Sequence, residues 1–501
     1  MKKRINALSM ACILGVVFCC GTLGGCKSGS NGPVVPEKDP DITIDNAFVR
    51  IDRATESITV MDGITAVDGN GKDITDKVKV ECSDMRLNDG VATFTECGDY
   101  TLTYSVEDDY GKKATAEKTV AVRNIYSVYL TNATVPPLYG ALDLASNEYP
   151  FIFFNDRLTV NVDCYGDRAL GKYGGEQADY DNAIQKFLEL YNQDSDGYFR
   201  LFIPDARNQM LLKTVVWNDI SETRYEVKYL SDGSMSYSIS FPYRDDDAYQ
   251  TWQNNVEIYE AMYRLAQNKQ PLSYNDVTLG DYFLSYELHN MYIYAASKPN
   301  AEFWGAFPEA LVSSDERVQA EVNKANLIKK QPDVMYNALT EEQKSKFLQS
   351  VSFDKATFDA QYFNTDGNYL IVTGTNPVTG TVTEDQFLEI FTSICNDYPS
   401  YNVLFKPHPA SIPSESDFDK VYNFMNEHNI KILPGRLPME VISWTYNDVL
   451  LGGFDSSLYM AVPQGNTVFF IAENKDMLTE LSRQLYESGV FGDVKFYWIQ
   501  Q

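Results

Sequence analysis

Histidine is the scarcest reactive side chain in this protein: 501 residues contain only His289, His408 and His428. Zinc-type sites need His/Cys clusters at set spacings, and the cysteines match none of them. Of the eight cysteines, Cys12, Cys19 and Cys20 fall in an apolar leader and Cys26 closes it, leaving Cys82, Cys97, Cys164 and Cys395 for any fold. Cys82 and Cys97 share one β-rich region and read equally well as an extracytosolic disulfide or as two thiols. Positive charge is also in deficit, with 42 Lys+Arg against 70 Asp+Glu and a formal charge of −28. Such a surface repels phosphate backbones, which argues against a nucleic-acid partner but not against a small anion held by a local nest of donors. After residue 25 no run is long and apolar enough to span a bilayer. Apolar and aromatic residues, at 44% and 13%, suffice for real cores and exclude a mainly disordered chain. The length predicts roughly two to four domains.

The first 25 residues read as a leader. Lys2, Lys3 and Arg4 precede an apolar stretch from Ala7 to Leu23, too short for a stable span. It ends in Leu23-Gly24-Gly25-Cys26, which resembles a bacterial lipobox. That resemblance implies cleavage after residue 25, lipidation of Cys26 and an extracytoplasmic, lipid-anchored place in a bacterial envelope; an ordinary signal peptide is the plainer alternative. Residues 26–40 have the Ser, Gly and Pro of a flexible tether.

Residues 41–124 read as short alternating strands. Ser57–Val60, Val78–Val80, Val91–Phe94, Tyr100–Val106 and Thr119–Val122 are punctuated by Asp68-Gly69, Asn70-Gly71, Asp89-Gly90 and Tyr110-Gly111. This predicts an all-β sandwich, and the run Gly98–Asp108 resembles the last strands of bacterial immunoglobulin-like surface modules. A spacer or adhesive role follows. From Asn124 onward strands alternate with amphipathic helical stretches, which predicts α/β architecture. Strands are expected at Ser127–Leu130, Tyr198–Ile203, Tyr225–Leu230, Tyr369–Val372, Asn402–Phe405, Ile430–Leu433, Asp448–Leu451 and Thr467–Ile471. Helices are expected at Pro137–Ser146, Asp205–Trp217, Ala248–Gln267, Glu384–Cys395, Asp417–Glu427 and Met439–Trp444. Two doubly wound halves with a cleft between them follow, with Val494–Trp498 returning to the first half.

Four constellations fall at ends of expected strands, where ligands bind in open α/β sheets. In Phe405-Lys406-Pro407-His408-Pro409 two prolines hold a histidine on a rigid rim, where it can donate to a phosphate; His289 and His428 read as structural. In Leu451-Gly452-Gly453-Phe454-Asp455-Ser456-Ser457 glycines lead into two hydroxyls at an expected helix start, an anion-binding pattern or a plain N-cap. No Gly-Lys-Ser/Thr follows, so it is not a Walker loop. Glu440, in the first turn of an expected helix, suits either a ribose or the helix dipole. Asp232, in Ser231-Asp232-Gly233-Ser234, reads by itself as the turn of a hairpin between Tyr225–Leu230 and Ser236–Phe241. Asp245-Asp246-Asp247 reads as the cap of the following helix rather than as a metal site.

Taken together, Phe-Lys-Pro-His-Pro, Met439-Glu440-Val441 and Gly452-Gly453-Phe454-Asp455-Ser456-Ser457-Leu458-Tyr459 resemble, in order and spacing, the bacterial sialyltransferases of glycosyltransferase family 80. Val128–Pro136 resembles that family's first strand and turn, Tyr229–Met235 its Tyr-Asp-Asp-Gly-Ser-Met segment, Leu370–Thr375 the strand opening its second half, and Val494–Trp498 its closing strand. The resemblance covers about residues 125–501. It implies a GT-B fold: an acceptor-side half at 125–365, a CMP-sugar half at 366–485 and a tail at 486–501 that returns to the first half. It implies an inverting transfer of sialic acid from CMP-sialic acid to a galactoside-type hydroxyl, without metal or other cofactor, by a monomer. Asp232 becomes the general base and His408 a candidate acid. Ser456 and Ser457 face the departing phosphate, with Lys406 and Pro409 on the pocket rim. Glu440 takes the ribose, Gly374 and Thr375 lie near the base, and Asn132 and Arg207 stand on the acceptor side. The chain departs from the family with Pro407 where glycine is usual, Arg207 where a histidine is usual, and Asp333 or Val334 where an acceptor-stacking tryptophan is expected. Alternatives are a transferase for another CMP-activated nonulosonic acid or Kdo, and a non-catalytic glycan-binding surface lipoprotein.

Overall fold

The computed structural model describes residues 36–54, 57–82, 86–155, 160–175, 177–238, 241–270, 273–274, 277–278, 291–375, 382–408, 419–463, 465–474, 478, 480–487, 489 and 491–499. Cys26, His289 and Pro409 lie outside them. The chain divides into two units, residues 1–47, 61–83 and 101–118 in one and the remainder in the other.

The smaller unit is β-rich. Asp41–Ile44 pairs antiparallel with Ile64–Val67, and Lys79–Glu81 pairs antiparallel with Thr103–Ser105. Its turns are built by aspartates: the Asp68 carboxylate accepts the N–H groups of Asn70 and Lys72, and Asp108 does the same for Tyr110 and Lys112. The Asp-Gly and Tyr-Gly punctuation is thus a set of side-chain-closed turns. Cys82, Cys97, Cys164 and Cys395 are all free thiols.

The larger unit holds two parallel sheets. Strand β1 (Lys113–Thr131), which belongs to this unit from Thr119 onward, runs without a break through the expected boundary at 124. It is joined by β2 (Phe151–Asn155), β3 (Ala169–Gly174), β4 (Gly197–Pro204), β5 (Tyr225–Leu230), β6 (Ala301–Gly305) and β7 (Leu327–Lys329) in the spatial order 3-2-1-4-5-6-7. The second sheet comprises β8 (Asn368–Thr373), β9 (Tyr401–Lys406), β10 (Lys431–Ile432), β11 (Leu450–Phe454), β12 (Thr467–Ala472) and β13 (Lys495–Trp498), in the order 10-9-8-11-12-13. Both follow the dinucleotide-fold pattern, in which the chain reverses direction beside the first strand and opens a crevice at the carboxyl ends. Helix α1 (Val135–Ser146), with proline in its first turn as expected, is buried at all positions but Ser146. The main core runs from Tyr129, Phe153 and Phe202 through Trp444 to Phe470. A second cluster, including Leu370, Phe387, Phe405, Phe469 and Tyr497, covers the other face of the second sheet.

Within the tail, β13 pairs in parallel with β12 in the second sheet, and Tyr497 and Ile499 join the second cluster. One expectation is corrected here. The residues around Asp232 do not form a hairpin. Strand β5 lies between β4 and β6, parallel to both, and Ser234–Tyr237 is a helical turn.

Candidate active site

At the carboxyl edge of the first sheet, consecutive parallel strands each end in a polar residue. After β1 comes Asn132, 5% exposed, whose Oδ1 is buried without a hydrogen-bond partner; the Oδ1 of Asn155, ending β2, is in the same state. After β4 come Asp205 and Arg207, both buried, the latter on the same 3-10 turn where the acceptor side was expected. After β5 the chain turns through Ser231, Asp232 and Gly233, whose φ of +70° admits the sharp exit that glycine tolerates best. Hydroxyls hold this turn. Ser236 Oγ lies 2.8 Å from Ser231 Oγ and accepts the Asp232 N–H at 3.0 Å, while Ser231 Oγ accepts the Gly233 N–H at 3.2 Å. Asp232 is half-buried, at the rim of the sheet. A strand–Asp–Gly–helix junction at a sheet's carboxyl end is a ligand position, whereas a hairpin tip is not.

Asp205 was not singled out by its sequence context. Its Oδ1 accepts the Ala206 N–H at 2.6 Å. Complete burial, with the Asp232 charge beside it, pushes its carboxyl up to about 8. The only signal in the chain was an acid immediately after a strand, which is too common to decide anything.

The second sheet assembles the donor-type groups. The Thr373 end of β8 lies beside the Lys406 end of β9, and the Gly374 N–H donates to the Lys406 carbonyl at 2.9 Å. A side chain on Gly374 would meet the Phe405 ring at 3.1 Å and the backbone nitrogen of His408 at 3.7 Å, so Gly374 and the His408 backbone share one corner. Lys406 is 4% exposed and donates to the carbonyls of Gly435 at 2.7 Å and Pro407 at 3.0 Å. Burial lowers its ammonium to about 8, opposed by the Glu440 carboxylate. Glu440, in α2 (Met439–Thr445), is itself buried; desolvation holds its carboxyl above the usual range, opposed by its backbone N–H and by Lys406. A carboxylate serving only the helix dipole would sit in water, so its burial beside a lysine points to more than the dipole. Burial, and then Lys406, press the His408 imidazole below its ordinary value, leaving it neutral at pH 7. Lys406→Met is expected to move the His408 midpoint upward toward 6.5. With three histidines in the chain, the ring-proton titration by NMR reads this directly, and an unmoved midpoint would deny the coupling.

Strand β11 ends in Gly452-Gly453. Behind it Thr373 Oγ1 bonds Tyr459 Oη at 3.1 Å and the Gly452 carbonyl at 3.3 Å. The expected helix after Ser456 is only the 3-10 turn Ser457–Met460, and Ser456, at its cap position, makes no capping bond with its side chain. The helix fails to extend because Pro463 and Gly465 follow within two turns. His428 stacks on Phe424 at 4.0 Å, a structural role as expected. Asp247 stands at the cap of Ala248–Gln267, but its side chain makes no capping bond. Among the described residues, no three His, Cys, Asp or Glu are grouped to hold a metal.

The two edges meet. The turn Ser234–Tyr237, directly after Asp232, packs against Ser457–Met460, directly after Ser456, and against α3 (Glu480–Glu487). The turn that follows Asp232 and the turn that follows Ser456 are thus neighbours. A cavity of about 800 Å³ lies elsewhere, at the Trp444 end of α2 among Tyr336, Lys344 and Asp354. Neither turn lines it.

A family model for alpha-2,8-polysialyltransferase matches residues 243–469, and one for bacterial surface immunoglobulin-like domains matches residues 60–122. No curated protein sequence matches the chain. Among solved structures, a 2,6-sialyltransferase from a Photobacterium species, in a ternary complex with CMP and lactose, aligns over 91% of this chain and 97% of its own, at 15% identity and TM-score 0.54. The alpha/beta-galactoside alpha-2,3-sialyltransferase of Photobacterium phosphoreum aligns over 74% and 98%, at 16% identity and TM-score 0.55. The GT-B domain of a Photobacterium damselae sialyltransferase aligns over 75% and 100%, at 18% identity and TM-score 0.51. At these identities the likeness is one of fold. Fold and family model together make this chain a glycosyltransferase, with a sialyltransferase domain of GT-B architecture behind a bacterial surface immunoglobulin-like domain.

Proposed function

We propose that this chain moves sialic acid from CMP-sialic acid to a hydroxyl of a galactoside-type glycan, with inversion and without a metal. The observation that carries this reading is the packing of the turn after half-buried Asp232 against the turn after Ser456, which joins the carboxyl ends of β5 and β11. The CMP and lactose bound by the Photobacterium relative support the choice of donor and acceptor. Asp232 takes the proton of the acceptor hydroxyl as its oxygen attacks the anomeric carbon from the face opposite the phosphate. The carbon–oxygen bond to phosphate breaks, and its electron pair leaves with CMP. Ser456 and Ser457 donate to the phosphate. His408, neutral in the free enzyme, becomes more basic as the anionic donor arrives, takes up a proton from solvent and, as the imidazolium, passes it to the departing phosphate. Lys406 adds fixed positive potential behind it. Glu440 accepts the ribose hydroxyls, Gly374 and Thr375 border the base, and Asn132 and Arg207 line the acceptor side, with Pro409 completing the rim.

The same reading assigns residues 41–124 to the immunoglobulin-like module, 125–365 to the acceptor half and 366–485 to the donor half. It assigns Cys26 to lipid attachment outside the bacterial cytoplasm. A second reading, a sialylated rather than galactoside acceptor, is favoured by the polysialyltransferase family model. The purified chain, given CMP-sialic acid with lactose, with sialyllactose or with neither, is expected to release CMP fastest with lactose. Release with sialyllactose alone would establish the second reading, and release from CMP-Kdo alone would replace the donor sugar. No release with any CMP-sugar would leave a glycan-binding surface protein.

A further inference from the structure

We propose that Asn155, together with Asn132, forms a subsite for uncharged sugar units of the acceptor glycan, beyond the unit whose hydroxyl reacts. This rests on the reading above, in which Asp232 is the base and a glycan the acceptor. Asn155 ends β2 and is 8% exposed, and among the described residues its Oδ1 meets no hydrogen-bond donor. Its surroundings explain why. In the sheet it stands between Thr131 of β1 and Gly174 of β3. Thr131 spends its only side-chain proton on the Phe154 carbonyl, at 3.0 Å, and Gly174 has no side chain to offer. Residues in register on parallel strands share a face, and two positions back Tyr129 and Phe153 lie against Gly140 of α1. Helix α1 starts at this edge with Pro136 and Pro137, so two of the N–H groups that a helix start presents are missing. Asn132, directly after β1, has its Oδ1 in the same state, and the chain leaves it through Ala133 at φ +61°, a conformation rare for alanine.

Two buried acceptor oxygens after neighbouring strands call for donors, and a glycan brings them as hydroxyls or acetamido N–H groups. A carboxylate would bring only further acceptors, so the subsite suits uncharged sugars. There is room beside Asn155. Its carbonyl accepts the Gly175 N–H at 3.2 Å, and a side chain on Gly175, at φ +102°, would meet no atom within 4 Å. The strand order says which sugars reach it. From Asp232 after β5, past β4 and β1, to Asn155 at the end of β2 is three strand spacings, roughly 14 Å. A single pyranose covers little more than one spacing, so the sugar that faces Asp232 does not also reach Asn155. The second and third units, counted from the reacting galactose, are the ones that pass Asn132 and Asn155.

The test sets methyl β-galactoside, lactose and an uncharged trisaccharide ending in galactose against wild type, Asn155→Leu and Asn155→Ala. In wild type kcat/KM is expected to rise along that series of acceptors. In both variants the ratio of trisaccharide to methyl galactoside is expected to fall about five- to tenfold, through KM rather than kcat. A ratio unchanged from wild type overturns the subsite, whatever the overall loss. Thermal unfolding separates a structural role. Leucine has nearly the shape of asparagine, so removing an unpaired oxygen in Asn155→Leu is expected to leave Tm at or above that of wild type. A fall of several degrees would mean that the side chain is bonded within the protein, and overturns the proposal. Calorimetric binding of the trisaccharide with CMP present needs no turnover. Wild type is expected to bind it about five- to tenfold more tightly than Asn155→Leu. A chain that releases no CMP but shows this difference keeps the subsite and loses the reaction. Equal binding, or none by either protein, ends the subsite even where sialic acid is transferred.

Discussion

Asp232→Ala is expected to cut turnover of sialyl transfer by about 10²- to 10⁴-fold, the usual share of a positioned base, while CMP binds as in wild type. The two readouts separate because they belong to different sheets. Asp232 ends β5 of the first, whereas Lys406, His408, Glu440 and Ser456 all follow strands of the second or the helix between them. An acceptor hydroxyl ionises far above neutral pH, so its oxygen attacks effectively only if the proton leaves as the bond forms, and a carboxylate within reach must take it. Asp232→Asn conserves shape and the hydrogen bond from the backbone N–H to Ser236 while removing basicity, so it is expected to lose as much as the alanine variant. Calorimetric binding of CMP unchanged beside a collapsed kcat is the expected pair of results. Either variant turning over within a few-fold of wild type would remove Asp232 from the chemistry and leave the donor pocket untouched.

Why the chain around Asp232 reads as a hairpin is itself a physical point. Tyr225-Glu226-Val227-Lys228-Tyr229-Leu230 alternates polar and apolar residues like a strand with one wet face. In the structure it is a central parallel strand, and its polar residues are satisfied sideways. Lys228 Nζ lies 2.6 Å from Glu302 of β6 and 3.2 Å from Glu226, and Arg200 of β4 lies 2.7 Å from Asp143 of α1. A ladder of ion pairs inside a sheet imitates exposure, and no local pattern distinguishes the two. The second half was more legible because its strands are plain apolar runs, such as Leu370-Ile371-Val372, ending in glycine, proline or lysine, so the strand ends and the donor residues after them could be placed directly. What stayed hidden there was long-range. Lys406 and Glu440 affect each other only because β9 and α2 converge, and Val494–Ile499 joins the second sheet through apolar packing that sequence proximity does not announce. That Asp205 and the turn of Asp232 follow neighbouring strands is hidden for the same reason, since it appears only in the parallel register.

Gly453→Ala is expected to cost roughly 3 kcal/mol or more and to abolish CMP binding together with transfer. Gly453 has a φ of +149°, and a β-carbon there would stand 2.1 Å from Thr373 Oγ1, 2.3 Å from the Thr373 carbonyl oxygen and 2.8 Å from its nitrogen. Two of these three atoms are backbone, and Thr373 is the direct partner of Gly453 across β8 and β11. Relief therefore requires the strands to separate where the donor residues are anchored. Thr373 also carries the bond to Tyr459, so the turn that follows Ser456 moves with it. Gly452→Ala makes the useful contrast: its β-carbon meets only the far edge of the Phe469 ring, at 2.4 Å, and a ring can swing where a strand cannot. Its loss is expected to be smaller, with CMP binding weakened rather than absent. Thr373→Ala combined with Gly453→Ala removes only the hydroxyl and is expected to rescue neither stability nor binding. Thermal unfolding and CMP calorimetry on the four proteins check this order. A Gly453→Ala chain that melts with wild type and binds CMP normally would show that the glycine end of β11 does not shape the donor pocket.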